Sequence, residues 1–513
     1  MGRLVSLRER ASKVAAALEI LERRIELAGW IDLGKLVGVL TIAGAVTAAA
    51  GLYPVGFALA IGPLGLLAFR NSRVACVLVA TTSPLVSVGA VDVGFHLLPV
   101  YVLIASGLAG ALLRREWRGV RLHRVDFALA GFAGVAVLVS VATLGTTPTA
   151  TVVGATGVNS PDLRSPAQLA ALLLMIGLYA LFRLGIRDRE AVAAPVRALL
   201  VAFVFSAVYG IYQGLAREFG LPFAYVNDRR TLADVLPQAG GTLRIRINGT
   251  LPEASPFASF AFIALAVSAA VLLVGERRFM RRSAAIGLSA LGLLILLATL
   301  SKAAIGACLI TLPLLLTLRG RARSVIRRRL MIALTGVCLA LLTLGAIAVR
   351  QPGALSHPTS LAAGERYVRV GYWEAALNIA AAHPLGVGVG NYTFYYPRYA
   401  PVSPKYEFYP VVADSHSWYL EALAETGILG GICFALFALG LPFFALRHGT
   451  RDGEQRHLVR ALAISWLAIA LMHITYSYFY YPFEWVLASL LAVALSLRRA
   501  KPVPGAVPIS AEA

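Results

Sequence analysis

Charge is scarce in this 513-residue chain. Asp, Glu, Lys and Arg make up only 14% of it, and just 26 residues are acidic. A water-soluble chain of this length needs far more polar surface to cover its cores, so a cytosolic globular enzyme is excluded. Cysteine is scarce too. Cys76, Cys308, Cys338 and Cys433 all fall in apolar runs, without disulfide or metal-ligand spacing, and read as small buried hydrophobes. Lysine accounts for five of the 47 basic residues, and no basic block is interleaved with aromatics, so no nucleic-acid partner is expected. There is no P-loop, dinucleotide fingerprint or HExxH, hence no cytoplasmic ATP engine and no cofactor expected. The first 30 residues lack the continuous apolar core of a cleavable signal peptide.

What is abundant is apolar length. Hydrophobic residues make up 58% of the chain and mean hydropathy is +0.74. A bilayer needs about 20 mostly apolar residues per helix. Runs of that kind occur at 36–52, 54–70, 74–91, 95–113, 126–144, 167–184, 194–216, 256–274, 282–299, 301–318, 329–349, 417–446, 459–476 and 480–497. The expectation is an all-α polytopic membrane protein with about 14 helices, or 12 if short gaps merge two of them. Basic residues alternate with this count. Counting Arg197, 35 fall on one set of loops and 12 on the other. The positive-inside bias then puts both termini in the cytoplasm. Residues 1–35 carry Leu4, Leu7, Ala11, Val14, Leu18, Leu21 and Ile25 at helical spacing, an interfacial amphipathic segment or else a solvated basic leader. Residues 36–349 form the first membrane bundle and 417–497 the C-terminal spans. The tail 498–513 is Pro- and Ala-rich and expected to be disordered.

Three outward loops are long: 145–165, 217–255 and 350–416. Long loops in a compact membrane domain tend to be functional. The last carries Trp373 and eight tyrosines between 367 and 409. Its stretch 367–382 reads as an amphipathic helix, with Val370, Trp373, Leu377 and Ala380 on one face and Pro384 beyond its end. The run Gly386-Val387-Gly388-Val389-Gly390-Asn391 follows, allowing either tight turns or close approach to a ligand.

Several motifs here resemble one family. They are Arg369-x-x-x-Trp373-x-x-Ala376, then Pro384-Leu385-Gly386-x-Gly388-x-Gly390, then His416-x-x-x-Leu420-x-x-x-x-Glu425-x-Gly427-x-x-Gly430. Together they are similar to the signature of the O-antigen ligase superfamily, which includes O-antigen polymerases and protein O-oligosaccharyltransferases. Arg246-x-x-Gly249-Thr250 with Pro252, and the Ser301-Lys302 step, resemble its other outward motifs. Ser417 stands where the family pattern has Asn, and Lys302 where it has Arg. The resemblance implies a fold similar to the GT-C membrane glycosyltransferases and a metal-independent transfer on the outer face of a bacterial inner membrane. The donor would be a glycan on undecaprenyl diphosphate. The acceptor would be lipid A–core for a ligase, or another glycan for a polymerase. Membrane lipids would be the remaining partners.

The residue types agree with that chemistry. Negative charge develops on a diphosphate as it leaves, and planar, always-charged guanidinium groups can hold it by paired contacts. Arg246 and Arg369 are the leading candidates, with Arg366 and Lys302 next. Gly388, Gly390 and Trp373 are candidate substrate contacts. His416 is the candidate base, because an imidazole with an ordinary pKa of about 6.5 can take a hydroxyl proton near neutral pH. Asp414 could orient it, although an interfacial His capping the next helix is the plainer reading. Residues 350–416 would then form a periplasmic lid. Tyr392, Phe394, Tyr395, Tyr396, Tyr399, Tyr406, Phe408 and Tyr409 could stack on sugars or belong to an interfacial belt, and Tyr476, Tyr478, Tyr480 and Tyr481 fit the belt better. Glu425 is expected to be structural, buried with a polar partner. A transporter or flippase would instead want charges and broken helices at mid-membrane in two matched halves. A non-catalytic scaffold is the other rival.

Overall fold

The computed structural model describes residues 53–86, 91–92, 96–148, 161–222, 235–237, 243–274, 279–315, 361–400, 414–448, 456–477 and 479–496. Side chains of residues 361–369 fall outside that description. The chain divides into two compact units, 1–67 and 68–513. Of the first, residues 53–67 are described, and they lie in the apolar helix α1 (Tyr53–Arg70).

The second unit is helical, with two short antiparallel ribbons. Its helices are α2 (Ser72–Thr82), α3 (Pro99–Leu113), α4 (Arg124–Ala142), α5 (Pro161–Gly185), α6 (Arg189–Phe219), α7 (Ala254–Val274), α8 (Arg282–Ala298), α9 (Lys302–Leu315), α10 (Leu361–Ala382), α11 (Tyr392–Tyr399), α12 (Trp418–His448), α13 (Arg456–Met472) and α14 (Pro482–Ser496). The ribbons pair β1 (Val91–Asp92) with β2 (His96–Leu97), and β3 (Val235–Pro237) with β4 (Leu243–Ile245). Among the described residues five helices, α4 to α7 and α12, are long and apolar enough to cross a membrane, and seven more are apolar but shorter. Those twelve coincide with twelve of the expected runs. The runs 36–52 and 329–349, the segment 1–35 and the tail 498–513 lie outside the described residues.

Two helices form the core. α7 has 94% of its apolar window buried, and α14 buries every residue from Pro482 to Val493. Both are apolar around the full circumference, which suits only a helix surrounded by others. Phe260 of α7 meets Phe483 of α14 at 5.0 Å between ring centroids. α13 packs on α7, α9 and α12, while α5 packs on α14 and α12 on α4. α12 leaves Ile428, Leu429, Ile432, Leu436, Leu439 and Phe443 exposed along its outer side.

Two helix ends prepare the site. The expected run 74–91 stops as a helix at Thr82. Pro84 has no N–H to continue the ladder, and the Ser83 hydroxyl donates to the Ala80 carbonyl at 3.0 Å. The Pro84 carbonyl is thereby left to accept from the Thr250 hydroxyl at 2.9 Å. α12 is broken at Gly427, whose φ of 69° and ψ of −174° are not helical. The freed carbonyls of Ala424 and Glu425 accept from the Val387 and Gly388 amides at 3.2 and 2.8 Å, and the Ile428 amide donates to the Pro384 carbonyl at 3.0 Å. The 384–388 loop thus satisfies the backbone that the kink exposes.

Candidate active site

The loop 246–252 is built on α6. Gln213 Oε1 accepts from the amides of Asn248 and Gly249 at 3.0 and 3.2 Å. Ser206 Oγ accepts from the Thr250 amide at 3.2 Å, and Arg217 donates to the Arg246 carbonyl at 2.7 Å. Gly249 has φ of 58°, and a Cβ there would come within 2.7 Å of the Phe257 ring, so only glycine fits. Held this way, Arg246 donates from Nε to the Thr299 carbonyl at 2.7 Å and from its fork to Ser255 Oγ at 3.5 Å. Ser301 donates to the same Ser255 hydroxyl at 3.1 Å. The Ser301-Lys302 step therefore adjoins Arg246, and Lys302 is exposed at the start of α9.

His416 comes from the other side. It sits just before α12 in the left-handed region, with φ of 51°, a costly conformation for a residue with a Cβ. Asp414 Oδ1 accepts from the His416 amide at 2.8 Å and lies 3.6 Å from the ring Nδ1. The acid thus fixes the backbone more directly than the ring. The Nδ1 atom is buried and has no hydrogen-bond partner. His416 does not cap α12; the Ser417 carbonyl accepts the Glu421 amide at 2.9 Å, and Ser415 Oγ supports that turn.

Two tyrosines enclose the imidazole. Tyr372 of α10 stacks on it at 5.4 Å and 16°, and Tyr476 meets it edge-on at 6.2 Å. Tyr476 donates its hydroxyl to Glu253 Oε2, next to Ser255. Arg246 reaches Ser255, two residues from the Glu253 that accepts from Tyr476, and His416 meets the Tyr476 ring, so both lie beside Tyr476.

Arg369 lies one helical turn before Tyr372 on α10, and Arg366 one turn earlier still; their side chains are not described. Trp373 is half-buried, with its indole N–H buried and unpartnered. The buried face of α10 is only partly the expected one: Ala380 is buried and Trp373 half-buried. Tyr372, Ala375, Ala376 and Ile379 are inside, whereas Val370 and Leu377 are exposed. The reason is α11: Tyr392, Phe394, Tyr395 and Tyr396 are buried against that stripe as a core. The Tyr392 hydroxyl donates to the Tyr372 carbonyl at 2.8 Å. These aromatics are thus neither a sugar platform nor a belt.

Gly388 and Gly390 have positive φ, and their missing Cβ atoms face the protein itself: Thr143 Oγ1 at 2.4 Å for Gly388 and Gln168 Oε1 at 2.9 Å for Gly390. Packing alone accounts for glycine at both. Glu425 accepts from the Tyr392 amide at 3.2 Å, pinning the start of α11 as a structural residue. Sequence alone assigns no role to Glu253, an outward acid, and its reading of the tyrosines after α13 as a belt does not hold for the described ones. Tyr476 and Tyr481 are buried, and Tyr480 donates to Gln168 at 3.1 Å, so none of the three is displayed at an interface. The signal for Glu253 was a lone acid inside an arginine-glycine loop motif. Tyr406, Phe408, Tyr409 and Tyr478 lie outside the described residues. Among the described residues, no three His, Cys, Asp or Glu side chains converge as a metal site.

Residues 287–435 match the family model described as O-Antigen ligase. Over that stretch the chain is similar to the O-antigen ligase family. The ligase domain runs from within α8 into α12 and includes Lys302, Arg366, Arg369, Trp373, the glycine run and His416. Arg246, Glu253 and Tyr476 complete the cluster from outside it. Comparison with curated proteins gives no match. The apolar helices together with that family match indicate a multi-pass membrane protein.

Proposed function

We propose that the protein is a metal-independent glycosyltransferase. It moves a glycan from undecaprenyl diphosphate to an acceptor hydroxyl at the periplasmic face of a bacterial inner membrane, most simply as an O-antigen ligase acting on lipid A–core. The observation that carries this reading is the placement of Arg246, by way of Ser255 and Glu253, and of His416, by ring contact, beside the same Tyr476, at ends of helices and not at their centres. A transporter has no need of an imidazole strained into the left-handed region with a free nitrogen, since strain of that kind is kept at working sites.

The acceptor oxygen attacks the anomeric carbon while the bond from that carbon to the diphosphate oxygen breaks. His416 takes the hydroxyl proton. Arg246 and Arg369 stabilise the charge that builds on the departing diphosphate, with Lys302 and Arg366 beside them. Glu253 and Tyr476 hold the space between base and guanidinium. Residues 350–416, including α10 and α11, cover the site, and both termini are cytoplasmic.

The test is transfer from a synthetic lipid-diphosphate oligosaccharide by the full chain in vesicles. Arg246→Ala and Arg369→Ala should weaken donor use by about 10²–10³-fold, and wild-type turnover in both overturns the reading. Mass spectrometry of cells lacking the protein separates the two related activities. Loss of capped lipid A–core supports the ligase, and single repeat units on lipid A–core support an O-antigen polymerase.

A further inference from the structure

The connection between α3 and α4 is the most strongly basic short segment described, and its construction is unusual. α3 ends with the Arg115 amide donating to Leu112 at 2.9 Å and the Glu116 amide to Ala111 at 2.9 Å. Arg115 holds the left-handed position of that turn, φ 56°, which glycine ordinarily takes. The following carbonyls point inward onto two arginines from the end of α5 and the turn after it. Arg187 donates to Glu116 and, at 3.4 Å, to Arg118, while Arg183 donates to Arg121 at 2.6 Å. Both acids of the segment are already paired. Glu116 pairs with Arg114 at 2.8 Å, and Asp126 pairs with the buried Arg183 at 2.8 Å and accepts from Tyr179 at 2.5 Å.

What remains outside is a fixed loop presenting Arg115, Arg118, Arg121 and Arg124, all exposed, around Trp117, which is 54% exposed. Arg118 lies 5.6 Å over the Trp117 ring. Leu113 and Leu122, 72% and 62% exposed, flank the arginines. Unpaired guanidinium groups, an exposed indole and exposed leucines on one rigid turn at the end of two apolar helices match one environment, the boundary between acyl chains and anionic headgroups.

We propose that the 113–124 turn is a binding site for anionic phospholipid headgroups of the adjoining leaflet. Phosphate oxygens take paired contacts from the guanidinium groups, and Trp117 and the leucines enter the headgroup–acyl boundary. This inference does not depend on the proposed transfer reaction.

The test uses the full chain, delipidated in detergent and offered equal dioleoyl phosphatidylglycerol and dioleoyl phosphatidylcholine, with bound lipid counted by native mass spectrometry. Wild type should retain phosphatidylglycerol about tenfold over phosphatidylcholine. Joint Arg115→Gln, Arg118→Gln, Arg121→Gln and Arg124→Gln substitution should remove that preference, as should the pair Arg118→Gln with Arg121→Gln in large part, and Arg281→Gln with Arg282→Gln, a pair of likewise exposed arginines, should leave it. No preference in wild type, or equal loss in the fourfold variant and the Arg281 and Arg282 control, overturns the proposal. If the fourfold variant fails to fold, Arg118→Gln and Arg121→Gln decide singly. A loss of roughly fivefold in each supports the site, and unchanged retention overturns it.

Discussion

Among the described residues two histidines lie within ion-pair distance of acids, placed close together in the fold and set for opposite purposes. His473 and Glu484 are wholly buried, with Nε2 and Oε2 2.9 Å apart. The His473 Nδ1 faces the Tyr476 carbonyl at 3.0 Å, Ser259 donates to the other Glu484 oxygen at 3.2 Å, and the ring stacks on Trp418 at 3.7 Å. Every polar atom is satisfied, so the pair locks α7, α13 and α14 together. His416, two residues before Trp418, has 30% of its side chain exposed, a left-handed backbone and an unpartnered Nδ1. A titratable group that is fully satisfied stabilises; one held in strain with a free lone pair or proton is positioned to react.

Substitutions can break that contrast, and four outcomes are expected, in descending size. His416→Ala should lower transfer by about 10³–10⁴-fold while leaving thermal unfolding in detergent near wild type. Arg246→Ala should cost about 10²–10³-fold in the same assay, through weaker stabilisation of the leaving diphosphate. Glu484→Ala reverses the pattern. It leaves His473 buried without its partner, so a stability loss of about 3 kcal/mol should appear as a lower unfolding midpoint, with residual folded protein still active. Tyr476→Phe removes the hydroxyl that reaches Glu253 but keeps the ring against His416, and a rate loss of roughly tenfold or less should follow with little change in the midpoint.

The same contrast explains what could be read from the sequence. Apolar runs located twelve helices, since hydrophobic length is a local property, but they overestimated the helix at 74–91, which Pro84 and the contact to Thr250 cut short. The α10 helix was legible from its period, and its buried face only in part. Trp373 and Leu377 look more core-like than Ala375 and Ala376, yet α11 covers the alanines, and pairing between two helices leaves no trace in one helix's own pattern. The motif positions Arg246 and His416 were legible through a family resemblance. Glu253 and Tyr476 were not, because 223 residues separate them and only folding brings the hydroxyl onto the carboxylate. The tyrosines of 476–481 share their composition with a membrane belt, and burial alone distinguishes them.

The most direct trial of the central claim is a single-turnover measurement of glycan transfer by folded His416→Ala protein, with His473→Ala as its companion. A site organised around His416 requires the first to lose at least about 10³-fold with its fold intact, and the second to lose folded protein instead. Wild-type turnover in His416→Ala would contradict the account.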